Sequence, residues 1–237
     1  GQDHLCFLHQ WGGYAGESPL SLAAAYNAFA NGGYYVTPHS YTKIEYRETG
    51  ETVEKKIEKT RAMSEETAYM VMDMLIDTPS YALGPFAKIP GVTYGAKTGT
   101  TNFDTATFKQ WGLPNGAVND YWVVGSSPDY TISLWYGYDK LVKENIQSGY
   151  VNKVGDYQHE KLFQILGKAL FEKGSTFTKP QNVVEVKIEK ESYPIALPSP
   201  NTPSNMITTE LFKKGTEPTE VSPRFATLDN VKNLKGG

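Results

Sequence analysis

Cysteine is all but missing from this chain: the single Cys6 among 237 residues excludes an internal disulfide and any cysteine-based zinc site. Histidine is scarce too. His4, His9, His39 and His159 stand at no metal-ligand spacing and no His-Glu-x-x-His occurs, so no metal site is expected. There is no excess of positive charge: 23 Lys and Arg against 26 Asp and Glu leave a net charge of −3. Without spare cations to neutralise phosphates, a dedicated nucleic-acid binder is not expected. Long hydrophobic runs are absent; the longest, around Leu20 to Ala25, is far short of the roughly 20 residues that cross a bilayer. There is no internal repeat and no Gly-x-Ser-x-Gly elbow, since Gly16-Glu17-Ser18 lacks the second glycine.

What is present is ordinary globular material, with 39% hydrophobic and 13% aromatic residues. That is too aromatic for disorder and enough for one domain, or one and a half, with a buried core. The chain opens Gly1-Gln2-Asp3 with neither initiator Met nor signal-peptide pattern and closes Lys235-Gly236-Gly237, as expected of a piece of a larger protein.

Local patterns divide it further. Ser18-Pro19 reads as an N-cap and first helical residue, Leu20, Ala23, Ala24, Asn27 and Ala28 repeat at helical spacing, and Asn31-Gly32-Gly33 is the left-handed stop. Alternating runs Val36 to Arg47 and Glu51 to Glu58 predict a hairpin turning at Glu48-Thr49-Gly50. Ser64 caps a second helix, with Ala68, Val71, Met72 and Leu75 on its apolar side and an end expected at Thr78-Pro79. Strands are expected at Val92 to Thr100, Tyr121 to Gly125 and Tyr130 to Tyr138, the last two joined by the turn Ser126-Ser127-Pro128-Asp129. Thr101 to Asn119 reads as a long polar loop, a common place for function. Leu162, Ile165, Leu166, Ala169 and Leu170 mark one more helix, closed by Gly174, and a Pro-, Thr- and Ser-rich tail follows with one strand at Val183 to Ile188.

The sharpest chemical signal is Lys97-Thr98-Gly99-Thr100, continued by Thr101-Asn102. A lysine and alternating hydroxyls on one extended segment make a short cationic, hydrogen-bonding edge that suits a carboxylate, and Gly99 leaves room for a ligand or backbone to approach. Ser40-Tyr41-Thr42-Lys43 is the one Ser-x-x-Lys match. It is rejected as a nucleophile motif, because on a strand residues three apart face opposite ways. Ser199-Pro200-Asn201, in the proline-rich tail, is rejected too. Glu65, Glu66, Glu189 and Glu191 are expected on solvated faces and caps. The Trp and Tyr residues are expected in the core, with Trp111 or Tyr121, flanking the loop, as the exceptions.

These residues resemble those of a known family. Lys-Thr-Gly is the third signature of penicillin-binding proteins and active-site-serine β-lactamases. Ser18-Pro19-Leu20-Ser21-Leu22-Ala23-Ala24-Ala25-Tyr26 with Phe29-Ala30-Asn31-Gly32-Gly33, and Ala96 through Asn102, are similar to the transpeptidase domain of class A, bifunctional penicillin-binding proteins. So are Asp120, Trp122, Gly125, Trp135, Gly137, Tyr138 and Asp139, and Lys214-Gly215-Thr216-Glu217-Pro218. Val123 stands where that family usually has phenylalanine.

The resemblance implies a mixed α/β fold of the β-lactamase/transpeptidase type, a central antiparallel sheet flanked by helices, of which this is the C-terminal portion. Residues 1–174 would complete that domain and 175–237 would be an extension packing on its surface. It implies peptidoglycan D,D-transpeptidation by serine acyl-enzyme chemistry, without cofactor, the serine lying upstream and a glycosyltransferase domain belonging to the parent protein. Catalytic residues would be Lys97, Thr98, Gly99 and Thr100, and substrate-binding ones Lys97, Thr98, Thr100, Thr101 and Asn102. Partners would be the D-Ala-D-Ala stem peptide, β-lactam antibiotics and the upstream half of the same protein, continuous with this chain or as a second chain, and no nucleic acid. The location implied is the extracellular face of the bacterial cytoplasmic membrane, through an upstream anchor. A serine β-lactamase or D,D-carboxypeptidase, or a non-enzymatic surface module, is the alternative.

Overall fold

Ser18 starts the first helix, α1 (Pro19–Ala30), as a capping box: its hydroxyl accepts from Ser21 N–H at 3.1 Å while Ser21 Oγ accepts the Ser18 N–H at 3.1 Å. Gly33 closes it with φ +92°; a Cβ there would meet the Met63 carbonyl oxygen at 2.3 Å, so only glycine lets the chain turn this tightly. The computed structural model describes residues 17–81, 83, 86, 88–138, 142–143, 152–153 and 157–225. It divides into two compact units, residues 1–178 and 179–237.

The predicted hairpin forms as two short ladders. β1 (Tyr34–Val36) pairs with β4 (Lys59–Arg61), and β2 (Lys43–Glu45) pairs with β3 (Thr52–Glu54), both antiparallel. The Gly50 N–H donates to Tyr46 O at 2.8 Å to close the turn. Helix α2 (Glu65–Tyr81) runs past the expected stop, with Pro79 inside it. Proline removes the N–H that would serve the Leu75 carbonyl, and the Thr78 hydroxyl donates to that carbonyl instead, at 2.8 Å. The same hydroxyl reaches Ala96 O, tying the helix to the sheet.

That sheet is antiparallel, in the order β5 (Gly95–Asn102), β6 (Ala117–Ser126), β7 (Thr131–Gly137), with the short β8 (Asn152–Lys153) on the start of β6. The expected polar loop between β5 and β6 is largely structured, which corrects the reading of residues 101–119. It holds helix α3 (Thr105–Trp111), capped by the Asp104 carboxylate accepting from Ala106 N–H at 2.9 Å and Thr107 N–H at 3.0 Å. Leu113 and Ala117, with Phe103, Phe108 and Trp111 against them, form its small core.

Helix α4 (Gln158–Leu170) covers one face of the sheet. Its buried side is His159, Glu160, Phe163 and Gly167. Leu162, Ile165 and Leu170, expected inward, are 47%, 62% and 41% exposed. Two helical stripes compete in this segment, and the one that wins carries Phe163 and a glycine that lets Ile89 in, since a Cβ at Gly167 would lie 2.3 Å from Ile89 Cδ1. Phe163 joins Leu83, Ile89, Tyr94, Ala96, Val123, Ile132 and Phe171 in the main core.

In the second unit β9 (Val183–Glu189) pairs along its whole length with β10 (Ile207–Lys213), a strand hidden in the sequence by its Thr and Glu content. Glu189, expected on a solvated face, is fully buried because two hydroxyls meet its oxygens: Ser222 Oγ donates to Oε1 at 2.6 Å and Thr202 Oγ1 to Oε2 at 2.7 Å. Glu66 is likewise buried rather than solvated.

Candidate functional site

Alternation along β5 separates the candidate residues. Opposite residues of an antiparallel pair share a face, so the register puts Gly95, Lys97, Gly99 and Thr101 with Ser126, Val124, Trp122 and Asp120 on one side. Ala96, Thr98 and Thr100 fall with Gly125, Val123 and Tyr121 on the other. Helices α1 and α2 lie on the lysine side: a Cβ at Gly95 would meet Leu75 and Met72, and Asn27 Nδ2 donates to Thr131 Oγ1 at 3.3 Å. Helix α4 lies on the threonine side, where Phe163 fills the place of a Gly125 side chain against Ala96. The structure therefore brings all six candidates onto one strand, with the cation and the two motif hydroxyls on opposite faces.

Among the described residues β5 has one strand neighbour, β6, and its outer edge is open. Lys97 is exposed and its Nζ donates to the Thr98 carbonyl at 2.6 Å, which holds the ammonium close along the strand. Gly99 sits beside Trp122, and a Cβ there would reach Trp122 Cβ at 3.4 Å, an ordinary contact. Its value is therefore space above the strand rather than an unusual backbone. Between Thr101 and Asn102 the register slips: Thr101 faces Asp120 while Asn102 faces Val118, leaving Asn119 as the extra residue of a bulge. A bulge bends the strand that carries the extra residue, here β6, opposite the end of the lysine strand. Just beyond, the Asp104 carboxyl is held below its usual range, chiefly by the Thr107 hydroxyl and then by backbone N–H groups.

Three further positions build the lysine face. Trp135 on β7 stands directly opposite Trp122 on β6, the two ring centres 6.5 Å apart. Its Nε1–H donates to Asp120 Oδ2 at 3.0 Å. Trp111 packs against Phe103 beside this strand, and Tyr121 is buried on the α4 side. His159, which metal spacing and motif arguments pass over, is the residue the sequence reading missed; it stacks on Tyr121 with ring centres 4.7 Å apart. A helical position four before a buried Phe was the only signal. Ser40 lies in a bend before β2 rather than in a helix, and Ser199 is buried with its hydroxyl 3.1 Å from Thr202 Oγ1, so neither is placed as a nucleophile. Val123 is fully buried in the main core. Asp139, one of the residues carrying the resemblance, lies outside the described residues.

The comparisons converge on one family. The model of the penicillin binding protein transpeptidase domain matches residues 12–152, and that of the penicillin-binding protein 1A C-terminal domain matches residues 179–227. Penicillin-binding protein 1A/1B of Bacillus subtilis is 38% identical over 95% of this chain and 24% of its own length. Penicillin-binding protein 1A of Clostridium tetani is 30% identical over 88% of this chain and 25% of its own. The chain thus spans about a quarter of these relatives. Among solved structures, penicillin-binding protein 1A from Haemophilus influenzae superposes over 90% of this chain and 35% of its own, with TM-score 0.57 and 19% identity. PonA1 from Mycobacterium tuberculosis covers 68% of this chain and 40% of its own, with TM-score 0.51 and 24% identity. At such identities these two give the fold, a penicillin-binding transpeptidase arrangement of helices about an antiparallel sheet.

Proposed function

The chain belongs to the penicillin-binding protein transpeptidase family, and from that premise we propose that it carries the substrate-gripping strand of a peptidoglycan D,D-transpeptidase of the serine type, which β-lactams acylate. The observation that carries the reading is the placement of Lys97 and the Thr98 and Thr100 hydroxyls on opposite faces of a strand whose outer edge has no strand neighbour among the described residues. A ligand on either face would meet one set alone. A ligand laid along the edge meets both, and extended peptides add to such edges through main-chain hydrogen bonds.

In this reading the nucleophilic serine comes from upstream polypeptide, continuous with this chain or docked to it as a second chain. It attacks the penultimate D-alanyl carbonyl of a D-Ala-D-Ala stem; the amide C–N bond breaks and D-alanine leaves with a proton on its nitrogen. An amine of a neighbouring stem then takes the acyl group, restoring the serine hydroxyl and making the cross-link. Lys97 favours the deprotonated serine–lysine machinery and draws in the carboxylate terminus, which Thr98 and Thr100 hold. The Thr100 N–H is one oxyanion donor. Thr101 and Asn102 extend the edge for the rest of the donor peptide. Residues 1–174 serve this domain and 175–237 form a C-terminal extension. The parent protein carries a membrane anchor and a glycosyltransferase domain and works on the outer face of the bacterial cytoplasmic membrane; among the described residues no helix is long and apolar enough to span a membrane.

The test is a full-length protein containing this sequence, given a fluorescent penicillin and a D-Ala-D-Ala stem peptide with an amine acceptor. A covalent penicillin adduct upstream of Gly1, D-alanine release and a cross-linked product are expected. An adduct on Ser40, or no adduct at all, would overturn the reading, and release of D-alanine with water as the sole acceptor would make the protein a carboxypeptidase.

A further inference from the structure

Helix α4 runs alongside β6 on the threonine face, and its contacts change character within one turn. Phe163 fills the space over Gly125 in the main core, beside Ala96, Val123 and the Tyr94 ring. One turn earlier, His159 and Glu160 are 5% and 4% exposed, with His159 Nε2 3.9 Å from Glu160 Oε1. The imidazole lies flat on Tyr121, at an interplanar angle of 6°. Tyr121 is the residue directly opposite Thr100. The helix therefore turns polar at the level where β5 passes from Ala96 to Thr98-Gly99-Thr100. Core filling alone does not account for this, since a buried imidazole beside a buried carboxylate carries a desolvation cost that Leu or Phe would avoid.

We propose that His159 is a positioning residue for carboxylate recognition: its stack fixes the Tyr121 ring as a wall beside Thr100, and the wall sets where the Thr100 hydroxyl meets the carboxylate of the acyl donor. Directly opposed cross-strand side chains sit about 5 Å apart at Cβ, so a Tyr121 ring displaced from this stack would crowd or abandon Thr100. A displacement of this size near a reacting group is worth far more in rate than in fold stability. The inference rests on the reading of Lys97 to Thr100 as the substrate strand.

The experiment measures acylation of the full-length protein by a penicillin with a free carboxylate and by its methyl ester, for wild type, His159→Ala, His159→Phe and Thr100→Val. His159→Ala should slow acylation by the acid about tenfold and by the ester less than about twofold, and His159→Phe, which keeps a flat ring, should restore most of the loss. Equal losses for acid and ester, or no loss for either, would overturn the positioning role. If His159→Ala does not fold, His159→Gln, which is polar but has no ring, is read in the same way. Thr100→Val separates the two levels of failure. If it does not distinguish acid from ester, the substrate-strand reading falls and this inference with it; if it does while the His159 variants do not, this inference alone falls.

Discussion

Trp135 and Asp120 meet across neighbouring strands, indole N–H to carboxylate at 3.0 Å, and Gly137 is the residue that lets them. Gly137 stands opposite Asp120, and a Cβ on it would lie 2.7 Å from Asp120 Cβ and 2.8 Å from Trp135 Cζ2. Both partners are side-chain atoms wedged on the lysine face, so neither can withdraw without disturbing Trp122, which adjoins Gly99.

Gly137→Ala is accordingly expected to cost about 1–3 kcal/mol by overpacking and to slow acylation beyond what the lost stability explains. Asp120→Asn keeps an oxygen for the indole and should be milder than Asp120→Ala, which strands a half-buried donor at about 1–3 kcal/mol. Chemical denaturation together with acylation kinetics decides this. An alanine at 137 with wild-type stability would mean that the indole–carboxylate contact is not held where the register places it.

Lys97→Ala should lower penicillin acylation of the full-length protein by about 100 to 1000 fold, the usual loss for one well-placed electrostatic group. Its exposure predicts that melting temperature will barely move. Lys97→Arg should fail nearly as badly, because a planar guanidinium cannot occupy the place of a compact ammonium donating to the Thr98 carbonyl. Acylation within threefold of wild type for the alanine variant would remove Lys97 from the site.

Much of this architecture is legible in the residues themselves. The Ser18-Pro19 cap, the Gly32-Gly33 stop and three of the four strands of the sheet follow from local chemistry and period. The first helix stands where those signals put it, and the strands keep their order while their ends shift, β5 to Gly95–Asn102 and β6 to Ala117–Ser126. The misses arise where tertiary contacts override local signals. Pro79 does not end α2, since Thr78 supplies the missing hydrogen bond. In α4 the leucine stripe loses to the one that seats Phe163 against Gly125. Of the candidate site, the strand with Lys97 was readable as a motif. What no linear pattern carries is that His159 meets Tyr121, because that contact joins residues 38 apart through the sheet. The burial of Glu189 is equally nonlocal, depending on hydroxyls at Thr202 and Ser222.

Glu189 offers the clearest stability test in the second unit. Glu189→Ala removes both acceptor oxygens and strands the Ser222 and Thr202 hydroxyls, at about 1–3 kcal/mol each. Glu189→Gln retains one carbonyl oxygen, and its amide can donate to a reoriented hydroxyl, so its cost should be about half or less. Limited proteolysis between residues 179 and 225 reads the local effect. Equal sensitivity of the two variants would deny the paired-acceptor role.

Tyr94 gives the unit with the main core a dependence on alkaline pH. Its ring packs 6.0 Å from Phe163 and 5.9 Å from Phe171. Burial pushes its phenol up from 10.0 to about 12, against a smaller opposing effect of a hydrogen bond with the Ile89 backbone. The sign follows from which state ionises first. Below about pH 10 both states hold the proton and the folded state keeps its full margin; between about pH 10 and 12 the unfolded chain ionises while the folded one resists, so stability falls as pH rises. At about 1.4 kcal/mol per unit, the fall approaches 2–3 kcal/mol. Tyr94→Phe should lose about 1 kcal/mol at pH 8 with its hydrogen bond, yet decline less steeply towards pH 11. Urea unfolding of both proteins at those two pH values measures the difference, to which the other 15 of the 16 tyrosines contribute equally in each. Parallel declines would show that the Tyr94 phenol ionises in the folded protein as it does in water.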